Sequence, residues 1–130
     1  MKIIVNGTFD ILHRGHLEML NYAKSLGDFL LVAIDTDRRV KELKGETRPI
    51  NNQWDRMAML ENLKAVDSVK FFDSKEELIA IMEDYQPDIM VKGSDWQDKS
   101  VIGKQYATKI EFYDRTDHST TQIIQNIINR

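Results

Sequence analysis

Short apolar runs alternate along the chain with stretches that have a helical hydrophobic pattern. Runs rich in branched and aromatic residues, bounded by polar or turn-forming residues, are typical of strands buried in a sheet. The predicted strands are Lys2–Val5, Phe29–Ile34, Ser68–Phe72, Asp88–Lys92 and Lys109–Tyr113. The last of these alternates apolar and polar positions, which favours a place near the edge of the sheet.

Apolar residues at helical spacing predict four helices between these strands and after them. The helices are expected over His16–Leu26, Gln53–Leu63, Lys75–Tyr85 and Ser119–Arg130. Their predicted inward side chains are Met19, Tyr22, Ala23 and Leu26 in the first, Trp54, Met57 and Leu60 in the second, Leu78, Ile81, Met82 and Tyr85 in the third, and Ile123, Ile124, Ile127 and Ile128 in the last. The polar segment Asp35–Pro49 is expected to be irregular, with room for one short helix.

This alternation favours an α/β fold of three layers, in which a mainly parallel sheet of about five strands carries helices on both faces. Residues 1–130 are expected to form one domain. Ligands in such folds bind at the carboxyl ends of the strands, where the strand order reverses. The segments that follow the strands are therefore the candidate site, and they run over Asn6–His16, Asp35–Arg48, Gly93–Trp96 and Asp114–Thr121.

The composition narrows the possible functions. The absence of cysteine excludes disulfides, thiolate metal sites and cysteine nucleophiles. No apolar run approaches the roughly 20 residues that span a bilayer, and "MKIIVNGTFD" lacks the layout of a signal peptide, so we expect a cytoplasmic protein without a membrane partner. A formal net charge of -3 argues against a nucleic-acid partner, but a local cluster of cations could still bind a small anion.

The segment "GTFDILHRGHLEML" places His13 and His16 where a strand ends and a helix begins. The two rings could bind a metal ion, although no third ligand is evident; they could cap the helix; or they could donate hydrogen bonds to phosphate. We favour phosphate, because a helix N-terminus offers unpaired N–H groups and the positive end of its dipole. Gly7 allows a tight turn or a close approach of the backbone.

The other candidate segments add charge and a second helix start. The segment after the second strand contains five cations, Arg38, Arg39, Lys41, Lys44 and Arg48. "KGSDW" follows the fourth strand and supplies Gly93, Asp95 and Trp96. In "STTQ", Ser119 and Gln122 are spaced as a capping box, which would also present hydroxyl and N–H groups to an anion.

Taken together, these motifs resemble the cytidylyltransferase-like nucleotidyltransferases. "GTFDILHRGH" matches the G-x-F-D-x-x-H-x-G-H signature of that family, and the ordered motifs extend over nearly the whole chain. "LKGETRPINNQWDRMAML" and "PDIMVKGSDW" resemble heptose 1-phosphate adenylyltransferases. "GSDW" and "RT…STT" also resemble glycerol-3-phosphate cytidylyltransferases, although "RTDHSTT" is shorter than the corresponding cytidylyl segment.

The resemblance implies a Rossmann-like fold and transfer of a nucleoside monophosphate from ATP or CTP to a small phosphorylated acceptor, with Mg²⁺ as cofactor and pyrophosphate as product. It implies that His13, His16 and Lys44 are catalytic and that no side chain is a dedicated metal ligand. The implied nucleotide-binding residues are these three with Gly7, Thr8, Phe9, Gly15, Gly93, Asp95, Arg115, Ser119 and Thr120. The implied acceptor-binding residues are Asp10, Asp37, Arg56 and Trp96. A homodimer is also expected from the resemblance.

Two alternatives stay open at this point. The chain could keep the fold as a nucleotide-binding module without chemistry, but the histidines and Lys44 that such a module would lose are present. A flavin or pantetheine nucleotidyltransferase is also compatible with these motifs.

Overall fold

A computed structural model describes residues 1–94, 101–114 and 119–130. Its centre is a sheet of five strands in the order β3-β2-β1-β4-β5, in which every neighbouring pair is parallel. The strands are β1 (Lys2–Gly7), β2 (Phe29–Asp35), β3 (Ser68–Phe72), β4 (Ile89–Gly93) and β5 (Lys109–Tyr113). The predicted parallel sheet and the edge position of the last strand are confirmed.

Five α-helices and one short 3₁₀ helix, Lys104–Tyr106, connect or follow the strands in the described part of the chain. The α-helices are α1 (Arg14–Ser25), α2 (Asp37–Lys44), α3 (Gln53–Glu61), α4 (Lys75–Tyr85) and α5 (Thr120–Ile128). The prediction for α4 has the same bounds, and α1 begins earlier than predicted. The charged segment after β2 contains a regular helix, α2, because Thr36 caps its start by accepting a hydrogen bond from the N–H of Arg39.

The sheet is buried on both faces, as continuous apolar strands predict. On one face, Ile3 and Val5 of β1 pack with Leu20 of α1 and Leu60 of α3. On the other face, Ile4 packs with residues that include Leu78 and Met82 of α4. The three-layer α/β/α fold is thus confirmed, and alternate residues of each central strand contribute to opposite cores.

Two predictions of inward side chains are wrong. Trp54 is 66% exposed, because α3 directs Arg56 and Leu60, one turn apart, toward the protein interior. Ile127 and Ile128 are also largely exposed, since α5 has no fully buried residue and only Ile123 and Ile124 among its four isoleucines are half-buried. Within residues 1–94, 101–114 and 119–130, no helix is both long enough and apolar enough to cross a membrane.

The strand order reverses between β1 and β4. β2 and β3 lie on one side of β1, whereas β4 and β5 lie on the other. Loops that leave β1 and β4 therefore diverge and leave a crevice at their carboxyl ends. Two of the candidate segments identified in the sequence follow these strands at this crevice.

Candidate active site

A cavity of about 450 Å³ opens at the carboxyl ends of β1 and β4. Its walls include Asn6 and Gly7 from β1, and Lys92 and Gly93 from β4. Most of the residues predicted to bind nucleotide come together here. Those that line the cavity are Gly7, Thr8, Phe9, His13, Gly15, His16, Lys44, Gly93, Ser119 and Thr120, together with the predicted acceptor ligand Asp10.

The two histidines are fixed by the start of α1. Nδ1 of His13 accepts a hydrogen bond from the N–H of Gly15 at 3.1 Å, and Nδ1 of His16 accepts one from the N–H of His13 at 3.3 Å. The pair forms a reciprocal capping box, and the rings stack with centroids 3.8 Å apart. A neutral imidazole whose Nδ1 is an acceptor carries its proton on Nε2. Capping therefore makes each ring a donor at Nε2, so capping and phosphate binding are compatible.

Strained backbone places Phe9 against the histidines. Phe9 and Ile11 have φ values of 54° and 50°, a left-handed conformation that is costly for bulky residues and typical of functional loops. The Phe9 ring is buried and its centroid lies 5.2 Å from that of His16. A Cβ added to Gly7 would lie 3.0 Å from the Phe9 ring, so the glycine allows this close packing.

Asp10 connects three segments around the cavity. Its side chain is buried and accepts hydrogen bonds from the N–H groups of Ile50 at 2.6 Å and Asn51 at 2.9 Å. Its carbonyl accepts a hydrogen bond from the hydroxyl of Thr120. The loop after β1, the loop before α3 and the start of α5 are therefore held together by one residue.

The start of α5 forms a second wall with helical N–H groups. Ser119 caps the helix by accepting a hydrogen bond from the N–H of Gln122 at 3.0 Å, which confirms the Ser119 half of the predicted capping box. The Gln122 side chain donates to Oδ1 of Asn126 at 2.8 Å and does not complete the box. Ser119, Thr120 and Thr121 all line the cavity. Two helix starts, those of α1 and α5, thus face the same space, and the positive ends of their dipoles favour an anion there.

The side chains around the cavity carry more positive than negative charge. Arg39, Lys44, Arg48 and Lys92 line it, against the carboxylates of Asp10 and Asp35. Asp35 accepts hydrogen bonds from Thr8 at 3.2 Å and from Arg39 at 3.0 Å, so it is engaged within the wall. These charges suit a polyanionic ligand of small size.

The start of α2 is anchored so that Arg39 and Lys44 reach the cavity. Nε of Arg38 donates to both carboxylate oxygens of Asp73 at 3.0 and 2.9 Å, and the hydroxyl of Thr36 donates to the same carboxylate. The Arg38 guanidinium, followed by Thr36, lowers the pKa of the Asp73 carboxyl below its ordinary value. Asp73 is therefore ionised and holds α2 in place at neutral pH.

Arg56 has a different environment from the predicted one. It is 1% exposed and donates to the carbonyls of Thr8 at 2.9 Å, Asp35 at 2.8 Å and Asn51 at 3.0 Å, and to the carboxylate of Asp37 at 2.8 Å. Neither Arg56 nor Asp37 is among the residues that line the cavity. Arg56 is therefore buried and holds separate backbone segments together through hydrogen bonds. A contact between Arg56 and the phosphorylated acceptor stays a prediction.

Three predicted site residues, Asp95, Trp96 and Arg115, lie outside the described residues. In the described ranges, no three histidine, aspartate or glutamate side chains come together as metal ligands.

Sequence reasoning did not single out two cavity residues, Lys92 and Asn6, whose Nζ and Oδ1 atoms are 3.5 Å apart. Their position in the sequence could have identified them, since each follows the apolar part of a central strand at its carboxyl end.

The fold and the cavity together define a class of protein, a parallel α/β protein with a cationic cavity where its strand order reverses. The sequence profile of the cytidylyltransferase-like family matches residues 4–126, so the chain belongs to that family. It is 45% identical over 126 residues to the bifunctional protein HldE of Campylobacter fetus, covering 96% of this chain and 27% of that protein. HldE of Helicobacter hepaticus is 45% identical over 128 residues, covering 96% of this chain and 26% of that one. The chain therefore spans about a quarter of the length of these curated relatives.

Two solved structures share the fold. A lipopolysaccharide core biosynthesis protein from Thermoplasma volcanium superposes with a TM-score of 0.74 and 29% identity, over 90% of this chain and 98% of that one. Pantothenate synthetase from Thermus thermophilus has a TM-score of 0.60 and 15% identity, over 89% of this chain and 56% of that one. The first neighbour is matched along almost its whole length, so the fold described here is found as a full chain elsewhere.

Proposed function

We propose that this chain is a nucleotidyltransferase that transfers a nucleoside monophosphate from a nucleoside triphosphate to a small phosphorylated acceptor. The observation that supports this best is the pair of imidazoles whose Nδ1 atoms both accept backbone N–H groups at the start of α1. Both histidines line one cationic cavity, and a neutral ring of this tautomer is a donor at Nε2. Within the family, heptose 1-phosphate adenylyltransferases are the members it most resembles, and relatives named bifunctional protein HldE match 96% of the chain.

The chemistry needs little from the protein beyond positioning and charge stabilisation. An oxygen of the acceptor phosphate attacks the α-phosphorus, the bond from that phosphorus to the bridging oxygen breaks, and pyrophosphate leaves with the electron pair. The acceptor is already an anionic nucleophile, so no general base is required. His13 and His16 would stabilise the charge that develops on the transferred phosphoryl group. The starts of α1 and α5, with Lys44, would hold the remaining phosphate oxygens.

Mg²⁺ is expected to enter with the triphosphate. The cavity carboxylates are engaged by protein donors, Asp10 by two backbone N–H groups and Asp35 by Thr8 and Arg39. Mg²⁺ often keeps several waters and binds mainly through substrate phosphates, which suits a cavity that offers no dedicated cage among the described residues. The ion would neutralise phosphate charge during transfer.

The decisive experiment measures pyrophosphate release in the presence of Mg²⁺ with ATP or CTP against heptose 1-phosphate, glycerol 3-phosphate and phosphocholine. We expect ATP with heptose 1-phosphate to be the productive pair, and reactions without acceptor to give the background. Turnover with CTP and glycerol 3-phosphate would keep the reaction class but move the chain to the cytidylyl branch. No release above background from any pair would contradict the proposal. The expected homodimer is checked on the same sample by light scattering.

A further inference from the structure

Arg48 lies in the loop between α2 and α3 and lines the cavity. Its side chain is 15% exposed, which is low for a residue in a surface loop. Nε of Arg48 is fully screened from solvent and forms no hydrogen bond with any residue in the described part of the chain. A buried N–H on a charged group costs free energy unless a partner is supplied.

Asp10 is the carboxylate paired with Arg48, and it does not supply that hydrogen bond. Oδ2 of Asp10 is 3.9 Å from Nε of Arg48, which is too far for a hydrogen bond. The same oxygen accepts from the N–H of Ile50 at 2.6 Å, and Oδ1 accepts from the N–H of Asn51 at 2.9 Å. The two short hydrogen bonds of Asp10 are therefore made to the loop backbone, and its interaction with Arg48 is only the electrostatic attraction of a nearby charge.

The loop that carries Arg48 is held in place on both sides of that residue. The N–H of Arg48 donates to the carbonyl of Gly45 at 3.1 Å, and the two following N–H groups after Pro49 are those bound by Asp10. The guanidinium is consequently presented to the cavity by fixed backbone. A planar guanidinium held in this way suits bidentate recognition of a phosphate group.

We infer that Arg48 is a phosphate ligand of this site, held in position by Asp10, and that its Nε–H completes its hydrogen bonding on a phosphate oxygen of a substrate. The inference rests on the proposed function, which supplies two sources of phosphate, the triphosphate and the acceptor. Asp10 is then a positioning residue, because it acts through the loop that carries Arg48.

The test compares Arg48→Gln and Arg48→Lys with wild type, with Lys64→Gln as the control that removes one cation elsewhere. Lys64 is exposed and lies outside the cavity. Loss of one charged hydrogen bond to phosphate is expected to raise the KM of one substrate roughly 10- to 100-fold in Arg48→Gln. Arg48→Lys, which keeps the charge but not the planar fork, is expected to fall between Arg48→Gln and wild type. The melting temperature of Arg48→Gln is expected not to fall below that of wild type, because Nε makes no hydrogen bond in the described protein.

The two sources of phosphate are separated by which constant changes. A raised KM for the triphosphate alone assigns Arg48 to the nucleotide, and a raised KM for the acceptor alone assigns it to the acceptor. Unchanged KM values for both substrates would overturn the inference. A lower melting temperature in that case would assign Arg48 a structural role. If Arg48→Gln does not fold, Arg48→Lys alone serves, and KM values equal to wild type overturn the inference.

A direct measurement of anion binding tests the role of Arg48 without relying on enzymatic turnover. Isothermal calorimetry with tripolyphosphate and with inorganic phosphate should show weaker binding of at least one anion to Arg48→Gln and unchanged binding to Lys64→Gln. Equal binding of both anions by Arg48→Gln and wild type overturns the inference even if the wild type is an active nucleotidyltransferase. Failure of the wild type to release pyrophosphate would contradict only the proposed function.

Discussion

The backbone N–H of His13 donates to Nδ1 of His16, and the two imidazole rings stack with their centroids 3.8 Å apart. The same contact that starts α1 thus sets the orientation and the tautomer of a ring in the cavity. Helix formation and chemistry are combined in one pair of residues, so a substitution can affect either property. The two effects can be separated by choosing which nitrogen of the ring is lost.

Substitution of His16 should slow turnover through the loss of its Nε2 donor. His16→Ala is expected to lower kcat about 100-fold or more, since one donor to developing charge is worth roughly that factor. His16→Asn keeps an oxygen that can accept the N–H of His13 but has no group at the Nε2 position. We expect His16→Asn to be as slow as His16→Ala yet closer to wild type in melting temperature. Near-normal pyrophosphate release from either folded variant would contradict the role given to His16.

Removal of the Asp10 carboxylate should loosen the loop that contains Ile50 and Asn51. Asp10→Ala leaves two backbone N–H groups without their acceptor, and each unsatisfied buried group costs about 1–3 kcal/mol. Hydrogen exchange read at the Ile50 and Asn51 amides should accelerate in the variant. Unchanged protection of both amides would show that Asp10 does not hold the loop. Amides of β2 serve as the internal reference, because that strand lies in the sheet interior.

Arg56 should be required for stability. Its guanidinium is buried and bonded to Thr8, Asp35, Asp37 and Asn51, so Arg56→Met leaves several acceptors without a donor. We expect a loss of about 3–5 kcal/mol in the free energy of unfolding, because three backbone carbonyls lose their donor and each unsatisfied buried group costs about 1–3 kcal/mol. Urea denaturation followed by circular dichroism measures it, with the exposed Lys41→Met on α2 as control. A loss below about 1 kcal/mol would show that these bonds contribute little.

Stability should fall at alkaline pH because of Tyr85. Burial, the largest cause, raises the pKa of Tyr85 to about 12, and its hydroxyl donates to the carbonyls of Ile3 and Phe29. The unfolded chain ionises near the ordinary pKa of 10, so the contribution is complete below that pH and is lost as the pH rises toward 12. Denaturation from pH 8 to 11.5 should show this decline, and Tyr85→Phe should remove part of it. Equal slopes for the two proteins would contradict the assignment.

The strands were predictable because the sheet is covered on both faces. Apolar runs such as Phe29–Ile34 identify buried strands without any knowledge of partners, and the carboxyl-end rule then places the site. The reversal beside β1 brings Gly7 and Gly93 together, although they are far apart in sequence. Local motifs with a physical mechanism, such as the Ser119 cap, were also predictable from residue type and spacing.

Side-chain placement on short helices was less predictable. Periodicity on α3 selected Trp54 as an inward residue, whereas Arg56 occupies the interior. Burial of an arginine depends on acceptors from distant loops, and the sequence near α3 gives no sign of them. The same limit applies to Arg48, which was only one of five cations in its segment. Its orientation follows from Asp10, a residue that is distant in sequence.

The hydrogen bond from Thr120 to the carbonyl of Asp10 joins residues 110 positions apart in the chain. Contacts of such large sequence separation carry a large loop-closure cost in folding. We expect this contact to form after β1 has paired with its sheet neighbours β2 and β4. A partly folded or nascent chain would therefore have much of its sheet before it could hold a triphosphate. Nucleotide affinity would then report on completion of the native fold.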